Sequence, residues 1–120
     1  MLERIDNLPD GTVGVSAHGT LTADDYRQVL VPAIEAALAK HDKINFLYEI
    51  GPTFESFSAG AMFQDALVGL RHPLSWHRIA VVTSHEWIER MMDQASALIP
   101  GQVKVFDWAE QKDALSWLAG

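Results

Sequence analysis

Histidines are the side chains in this sequence that most readily suggest chemistry, because a neutral imidazole is a common metal ligand. The chain has five of them, at His18, His41, His72, His77 and His85. No two stand three or four residues apart, the spacing that places two ligands on one face of a helix. His85-Glu86 begins like a zinc-protease motif, but Glu89 occupies the position of the second histidine. The spacing therefore predicts no bound metal.

Serines in the middle of the chain are the next candidates, since the nucleophilic serine of many hydrolases stands between two glycines, two residues from each. Ser58 has Gly60 on one side, but Ser56 replaces the glycine on the other. We therefore expect these serines to cap a helix rather than to attack a substrate. No glycine pattern typical of a phosphate-binding loop is present. The sequence predicts no catalytic residue, no cofactor and no enzymatic activity.

Phenylalanines mark one segment that could contact another molecule. Phe54 and Phe57 lie in residues 51–60, which follow an apolar strand. Loops at the carboxyl ends of parallel strands are where α/β proteins bind their ligands. Met62 and Phe63 come shortly afterwards and could extend the same binding surface. Packing into the core is the alternative, because apolar side chains are usually buried.

Alternating strand-like and helix-like segments must position these residues. Polar and apolar residues alternate from Val13 to His18, and a Pro-Asp-Gly turn before them predicts a hairpin with a strand at 2–6. Apolar runs of strand length follow at 44–50, 78–82 and 103–106, with residues 51–58 as a loop. Apolar residues three or four apart predict four helices, at about 22–38, from 57 or 59 to 70, at 84–98 and at 107–118.

Capping residues and one proline refine these helices. Thr22 and Ser84 are good N-caps, and Asp107 with Glu110 forms an acidic capping box. Pro32 lies inside the first helix and lacks an N–H, so a kink or two short helices are expected there. Apolar residues of the third helix recur every three or four positions, at Trp87, Ile88, Met91, Met92, Ala95 and Leu98. Packing in the core or at its rim is expected for Trp87.

The order β-β-α-β-α-β-α-β-α predicts an α/β fold with a single, mostly parallel sheet of about five strands. The first strand of the hairpin is expected to add an antiparallel N-terminal edge. The chain of 120 residues shows no repeat or linker, so one domain over residues 1–120 is expected. Its hydrophobic fraction of 48% is that of an ordinary globular protein.

Charge and composition exclude several classes of partner. The formal net charge of −7 repels phosphate backbones and anionic membrane surfaces, so neither nucleic acid nor a lipid surface is expected as a partner. No window has the ~18 apolar residues of a membrane span, and the first residues lack the apolar core of a signal peptide. A cytoplasmic location is expected. With no cysteine, the chain has no disulfide or thiolate chemistry.

Several runs resemble the SpoIIAA-like bacterial proteins. The first helix carries the likeness in residues 21–26 and 29–35, including the internal proline. Residues 78–82 followed by Trp87, Val105-Phe106 and the ending at 114–118 add to it. This family is similar in fold to the STAS domains of anti-sigma-factor antagonists and to the CRAL-TRIO lipid-transfer domain. The resemblance therefore implies a STAS-like sheet with helices packed against it.

The resemblance also implies a regulatory position. STAS antagonists are phosphorylated on a serine or threonine at the start of the helix that follows the third strand. The comparable residues here are Ser56 and Ser58, so either is a possible phosphosite. The stretch departs from the Asp-Ser-Ser-Gly pattern of those antagonists, because the aspartate is missing and Phe57 lies between the two serines.

Two functions follow from these observations. The first hypothesis is a non-catalytic regulatory or protein-interaction module that contacts an unidentified protein partner through residues 51–63. The alternative is a carrier of a small apolar ligand or lipid, which the CRAL-TRIO likeness and the aromatic and methionine residues of the second and third helices suggest. Pairing of two copies into a homodimer through the same apolar segment is left open.

Overall fold

Five strands form one sheet in the computed structural model, which describes residues 1–60, 75–97 and 101–120. They lie across the sheet in chain order: β1 (Leu2–Arg4), β2 (Thr12–Leu21), β3 (Ile44–Phe57), β4 (Trp76–Thr83) and β5 (Gln102–Asp107). β1 pairs antiparallel with β2, and each later pair is parallel. The predicted mixed sheet with an antiparallel N-terminal edge is confirmed.

Helices connect the parallel strands and follow the last of them. They are α1 (Ala23–Asp25), a π-helical turn (Tyr26–Leu30), α2 (Val31–Leu38), α3 (Glu86–Ser96), a 3₁₀ turn (Trp108–Glu110) and α4 (Gln111–Ala119). None of these described helices is long and apolar enough to cross a membrane. The helix predicted between β3 and β4 lies outside the described residues, except that Ala59 and Gly60 are helical.

The first helix is interrupted near Pro32, as its sequence predicts. Thr22 caps α1 in a capping box, in which the backbone N–H of Thr22 donates to the Asp25 carboxylate at 2.8 Å. The backbone N–H of Val31 then reaches the carbonyl of Tyr26, five residues back, which closes the π-helical turn. Pro32 follows in the first turn of α2 and has no N–H to donate to a carbonyl of the preceding π-helical turn. Two short α-helices are thus joined through this turn.

The loop predicted at 51–58 is wrong, because β3 continues to Phe57. β4 stops at Thr83, opposite Ile50, so beyond that point β3 pairs with β2 alone. The register shifts on both sides of Gly19, whose φ of 60° suits glycine, and pairing resumes as far as Phe57. Residues 19–21 and 51–57 thus form a two-stranded ribbon that projects beyond the carboxyl ends of the other strands.

The bounds of three further elements differ from the sequence prediction. β4 begins at Trp76, two residues early, and β5 spans one residue more at each end than 103–106. α3 begins at Glu86, and the carbonyl of His85 accepts the first backbone bonds, so Ser84 is not the N-cap. The acidic capping box of Asp107 is confirmed, although it opens a 3₁₀ turn before α4.

Side chains pack on both faces of the sheet. The larger cluster joins alternate residues of the strands to α2 and α3, and it includes Tyr26 and Tyr48, whose buried hydroxyls lie 2.7 Å apart. The smaller cluster on the other face is covered by α4 and consists of Leu47, Ala80, Val82, Phe106, Ala114 and Leu118. Every parallel strand from β3 to β5 contributes to both clusters.

Candidate functional site

An aromatic cluster lies at the edge where the parallel strands end, and it consists of Phe54, Phe57, His85 and Trp87. The ring centroid of Phe57 lies 4.8 Å from that of Phe54 and 6.1 Å from that of Trp87. Phe54 is 3% exposed, Phe57 is half-buried, and Trp87 is 46% exposed. The rings therefore contact one another in a continuous series from the core to the surface.

His85 joins the ribbon to the start of α3. Its Nε2 lies 3.0 Å from the carbonyl oxygen of Gly51, and because a carbonyl only accepts, Nε2 carries the proton. Its ring also packs edge-on against Phe54, with centroids 5.6 Å apart. These two contacts hold Trp87, two residues later, beside Phe57.

Helical geometry explains why Trp87 faces outward. Ile88 is fully buried and Met92, four residues later, packs against the same core cluster. Each helical residue is turned 100° from the one before, so Trp87 lies at the margin of the face that α3 buries. Of the two positions expected for Trp87, core or rim, the structure shows the rim.

A polar cluster lies beside the base of the ribbon and consists of Ser16, His18, Glu49 and Thr53. His18 Nε2 lies 3.2 Å from Ser16 Oγ, and its Nδ1 lies 2.6 Å from Thr53 Oγ1. Burial raises the pKa of Glu49 above its ordinary value, while the neighbouring His18 lowers it in part. Because His18 lies on β2 and Thr53 lies on β3, their hydrogen bond joins the two strands where their register shifts.

Two carboxyl groups meet between α3 and the end of β5. Partial desolvation raises the pKa of Glu89, and a side-chain hydrogen bond to Asp107 and repulsion by that carboxylate raise it further. Glu86 and Asp93 add repulsion from the same helix. Within residues 1–60, 75–97 and 101–120, no three His, Asp or Glu side chains are arranged to hold a metal ion.

The SpoIIAA-like family model matches residues 12–119. The chain belongs to the SpoIIAA-like family. A solved structure of an uncharacterized DUF3478-family protein from Shewanella loihica PV-4, which has a SpoIIAA-like fold, is 28% identical with a TM-score of 0.76. The alignment covers 98% of this chain and 92% of that one, whereas no curated protein matches the sequence.

The two serines of this SpoIIAA-like domain have different positions. Ser56 is exposed on β3, and its hydroxyl lies 3.3 Å from that of Thr20 across the ribbon. Ser58 follows the strand, donates its backbone N–H to the carbonyl of Leu21 at 2.9 Å, and precedes the helical Ala59. Ser58 therefore stands at the start of a helix, as expected for a cap, whereas Ser56 does not.

The predicted contact residues are also divided. The side chain of Phe54 belongs to the core, so it can support a contact surface but cannot form one. Phe57 is partly accessible, and Met62 and Phe63 lie outside the described residues. The carrier hypothesis draws on those two side chains as well, and it stays a prediction.

Two features of the site were not predicted as such from the sequence. Rim packing of Trp87 was one of two expectations, but Trp87 was not placed in the contact surface; because it is adjacent to Ile88, both cannot point to the centre of one helix face, and that signal was present in the sequence. Ser16 and His18 alternate with buried residues of β2, which shows that they share a face of the sheet. Their approach to Thr53 depends on the register shift, which no local pattern predicts.

Proposed function

We propose that this SpoIIAA-like domain is a non-catalytic, regulatory protein-interaction module whose contact surface is centred on Trp87 and Phe57. The observation that carries the proposal is the exposed indole of Trp87, 46% accessible, held against Phe57 at the edge of the sheet. Tryptophan is enriched among the residues that dominate binding energy at protein interfaces. The carboxyl edge of a parallel sheet is also where α/β folds place their binding sites.

The rigidity of the cluster supports this proposal. Phe54 is fixed in the core, and His85 is hydrogen-bonded to the backbone of the ribbon. A partner that covers Trp87 would therefore immobilise little that is not already ordered, which reduces the entropic cost of association. The contact surface lies within and beside residues 51–63, but Trp87, from the next helix, becomes its most exposed member.

Regulation at Ser58 is part of the proposal. A phosphate at a helix start is stabilised by free backbone N–H groups and by the helix dipole. Ser58 stands at such a start and Phe57 precedes it, so a charge there would alter the edge of the contact surface. We expect Ser58→Asp to change partner binding, and Ser56→Asp, in the strand, serves as its control.

Substitution of Trp87 tests the contact surface directly. We expect Trp87→Ala to abolish capture of the protein that wild-type domain retains from its own cells, as quantified by mass spectrometry. Leu115→Ala is the matched control, because Leu115 is 38% exposed on α4, which packs on the other face. Both variants should keep the wild-type circular dichroism spectrum. Equal capture by Trp87→Ala and wild type would refute the proposal.

A further inference from the structure

Negative charge surrounds the proposed contact surface. The carboxyl edge of the sheet, with the helix starts that follow it, carries eight carboxylates: Asp24, Asp25, Glu55, Glu86, Glu89, Asp107, Glu110 and Asp113. The cations there are Arg27, Arg90, Lys112 and the N-terminal amino group, so the described part of this edge has a formal charge of 4 − 8 = −4. Three of these cations are engaged: Arg27 with Asp24, Arg90 with Glu86 and the amino group with Asp25.

Helix capping explains only some of these carboxylates. Asp25 and Asp107 belong to capping boxes, and Glu86 and Glu89 stand in the first turn of α3, where the helix dipole favours an anion. Glu89 also faces Asp107 across two elements. Besides partial desolvation, a side-chain hydrogen bond between the two carboxyl groups and their mutual repulsion raise the pKa of Glu89. No described cation forms an ion pair with either of them. A group that supplies positive charge at this point would relieve the repulsion.

The opposite edge of the sheet shows that the charge is localised. There the described residues at or beside the strand starts include Arg4, Lys40, Lys43 and Arg78 against Asp6, Asp10 and Asp42, so their formal charge is 4 − 3 = +1. Among the described residues, that edge therefore offers little positive charge for the acidic edge of a second copy. Electrostatics favours a partner that is more basic than this edge.

We propose that the contact surface binds a basic amphipathic segment of a partner protein, with apolar side chains on Trp87 and Phe57 and Lys or Arg side chains at Glu89 and Asp107. This inference rests on the proposed function and names the partner's chemistry. Exposed aromatic area gives such a complex affinity, and the surrounding carboxylates select the sign of the partner's charge. An arginine could also stack on the indole of Trp87.

Three synthetic peptides of about 16 residues, roughly four turns of helix, test the chemistry by calorimetry. The first is an amphipathic Leu/Lys helix, the second replaces each Lys by Glu, and the third replaces each Leu by Ser. We expect binding of the first, weakened by added salt, and at least about tenfold weaker binding of the other two. Equal binding of the Lys and Glu peptides would overturn the inference.

Charge reversal locates the binding. We expect Glu89→Lys to weaken binding of the Leu/Lys peptide about tenfold. Asp42→Lys, an equal charge change at an exposed site at the opposite edge of the sheet, should leave that binding unchanged within about twofold. Equal weakening by both would show general attraction and overturn the inference. Sedimentation of the protein alone supplies the remaining outcome: self-association abolished by Trp87→Ala would make a second copy the occupant.

The two proposals fail in different ways. Suppose that Trp87→Ala no longer captures the cellular partner, but the protein binds the Lys and Glu peptides equally. The proposed contact surface is then supported, and the proposal of a basic partner is refuted. If Trp87→Ala retains the cellular partner, the contact surface itself is refuted, whatever the peptides do.

Discussion

Single side chains at the carboxyl edge of the sheet are held by identifiable contacts rather than by general burial. His18 bridges Ser16 and Thr53, and His85 donates to the carbonyl of Gly51. Each imidazole therefore links two segments that are distant in sequence. His18 and His85, which the sequence offers as candidate metal ligands, instead form hydrogen bonds that join segments at the ribbon.

Replacement of His18 should change the ionisation of its neighbour. Burial raises the pKa of Glu49 and His18 lowers it, so His18→Gln, which keeps hydrogen-bonding groups but removes any positive charge, should raise that pKa further. Carbon-13 NMR of the Glu49 carboxyl during a pH titration measures the change. His77→Gln, at an exposed position on β4, is the control. An unchanged or lower pKa for Glu49 would contradict the contribution of His18.

Replacement of Glu89 should change how stability depends on pH. Because the folded-state pKa of Glu89 lies above its ordinary value of 4.5, the folded protein binds a proton here more tightly than the unfolded chain does. The stabilisation by protonation is present near the ordinary value and is lost as the pH rises through the folded-state pKa. Glu89→Gln should therefore be more stable than wild type at neutral pH, with a difference that shrinks on acidification.

Thermal unfolding at a series of pH values measures this effect. Asp42→Asn removes one negative charge from an exposed site at the opposite edge of the sheet and serves as the control. If Glu89→Gln and wild type differ equally at every pH, Glu89 is not the group that titrates.

At the scale of elements, the ribbon decides the shape of the site, and its length was not predictable from local sequence. The sequence Gly51-Pro52 predicts a loop, but β3 continues to Phe57 because its residues pair with β2 as far as that point. The number and direction of the strands followed from periodicity and from their alternation with helices, because each strand is a short apolar run between helical patterns. Their order across the sheet was not predicted. The cap at Thr22 and the break at Pro32 also followed, since both depend on nearby residues.

Gly51 is an element-level constraint, because it lets β3 pass beneath the turn that begins α4. A Cβ built on Gly51 would lie 2.5–2.7 Å from three atoms of the Trp108 ring. Gly51→Ala should therefore displace the indole and destabilise the protein by about 1–3 kcal/mol. Trp108→Leu should reduce that penalty in the double variant, because the two changes are coupled. Urea unfolding of the four proteins gives the cycle, and additive effects would show that the ring is not the obstacle.

At the scale of the whole molecule, the sheet is shared by two clusters of unequal size. Adjacent residues of β3 such as Phe46 and Leu47 point to opposite faces and belong to different clusters. A substitution that weakens packing on one face should therefore also destabilise the packing on the other, because both faces belong to the same strands. The contact surface sits at one end of this sheet, so its geometry depends on both clusters.

The smaller cluster gives the sharpest test of this dependence, because among the described helices only α4 covers it. Leu118 is 4% exposed against that cluster, whereas Leu115, on the same helix, is 38% exposed. Leu118→Ala should cost about 2–5 kcal/mol, since it removes buried methyl groups and leaves a cavity. Leu115→Ala should stay within about 0.5 kcal/mol of wild type.

Circular dichroism and tryptophan fluorescence during urea unfolding should give one coincident transition for Leu118→Ala at a lower midpoint, because both faces share strands. Two separate transitions would show that the faces unfold independently, and the aromatic cluster could then survive the loss of α4.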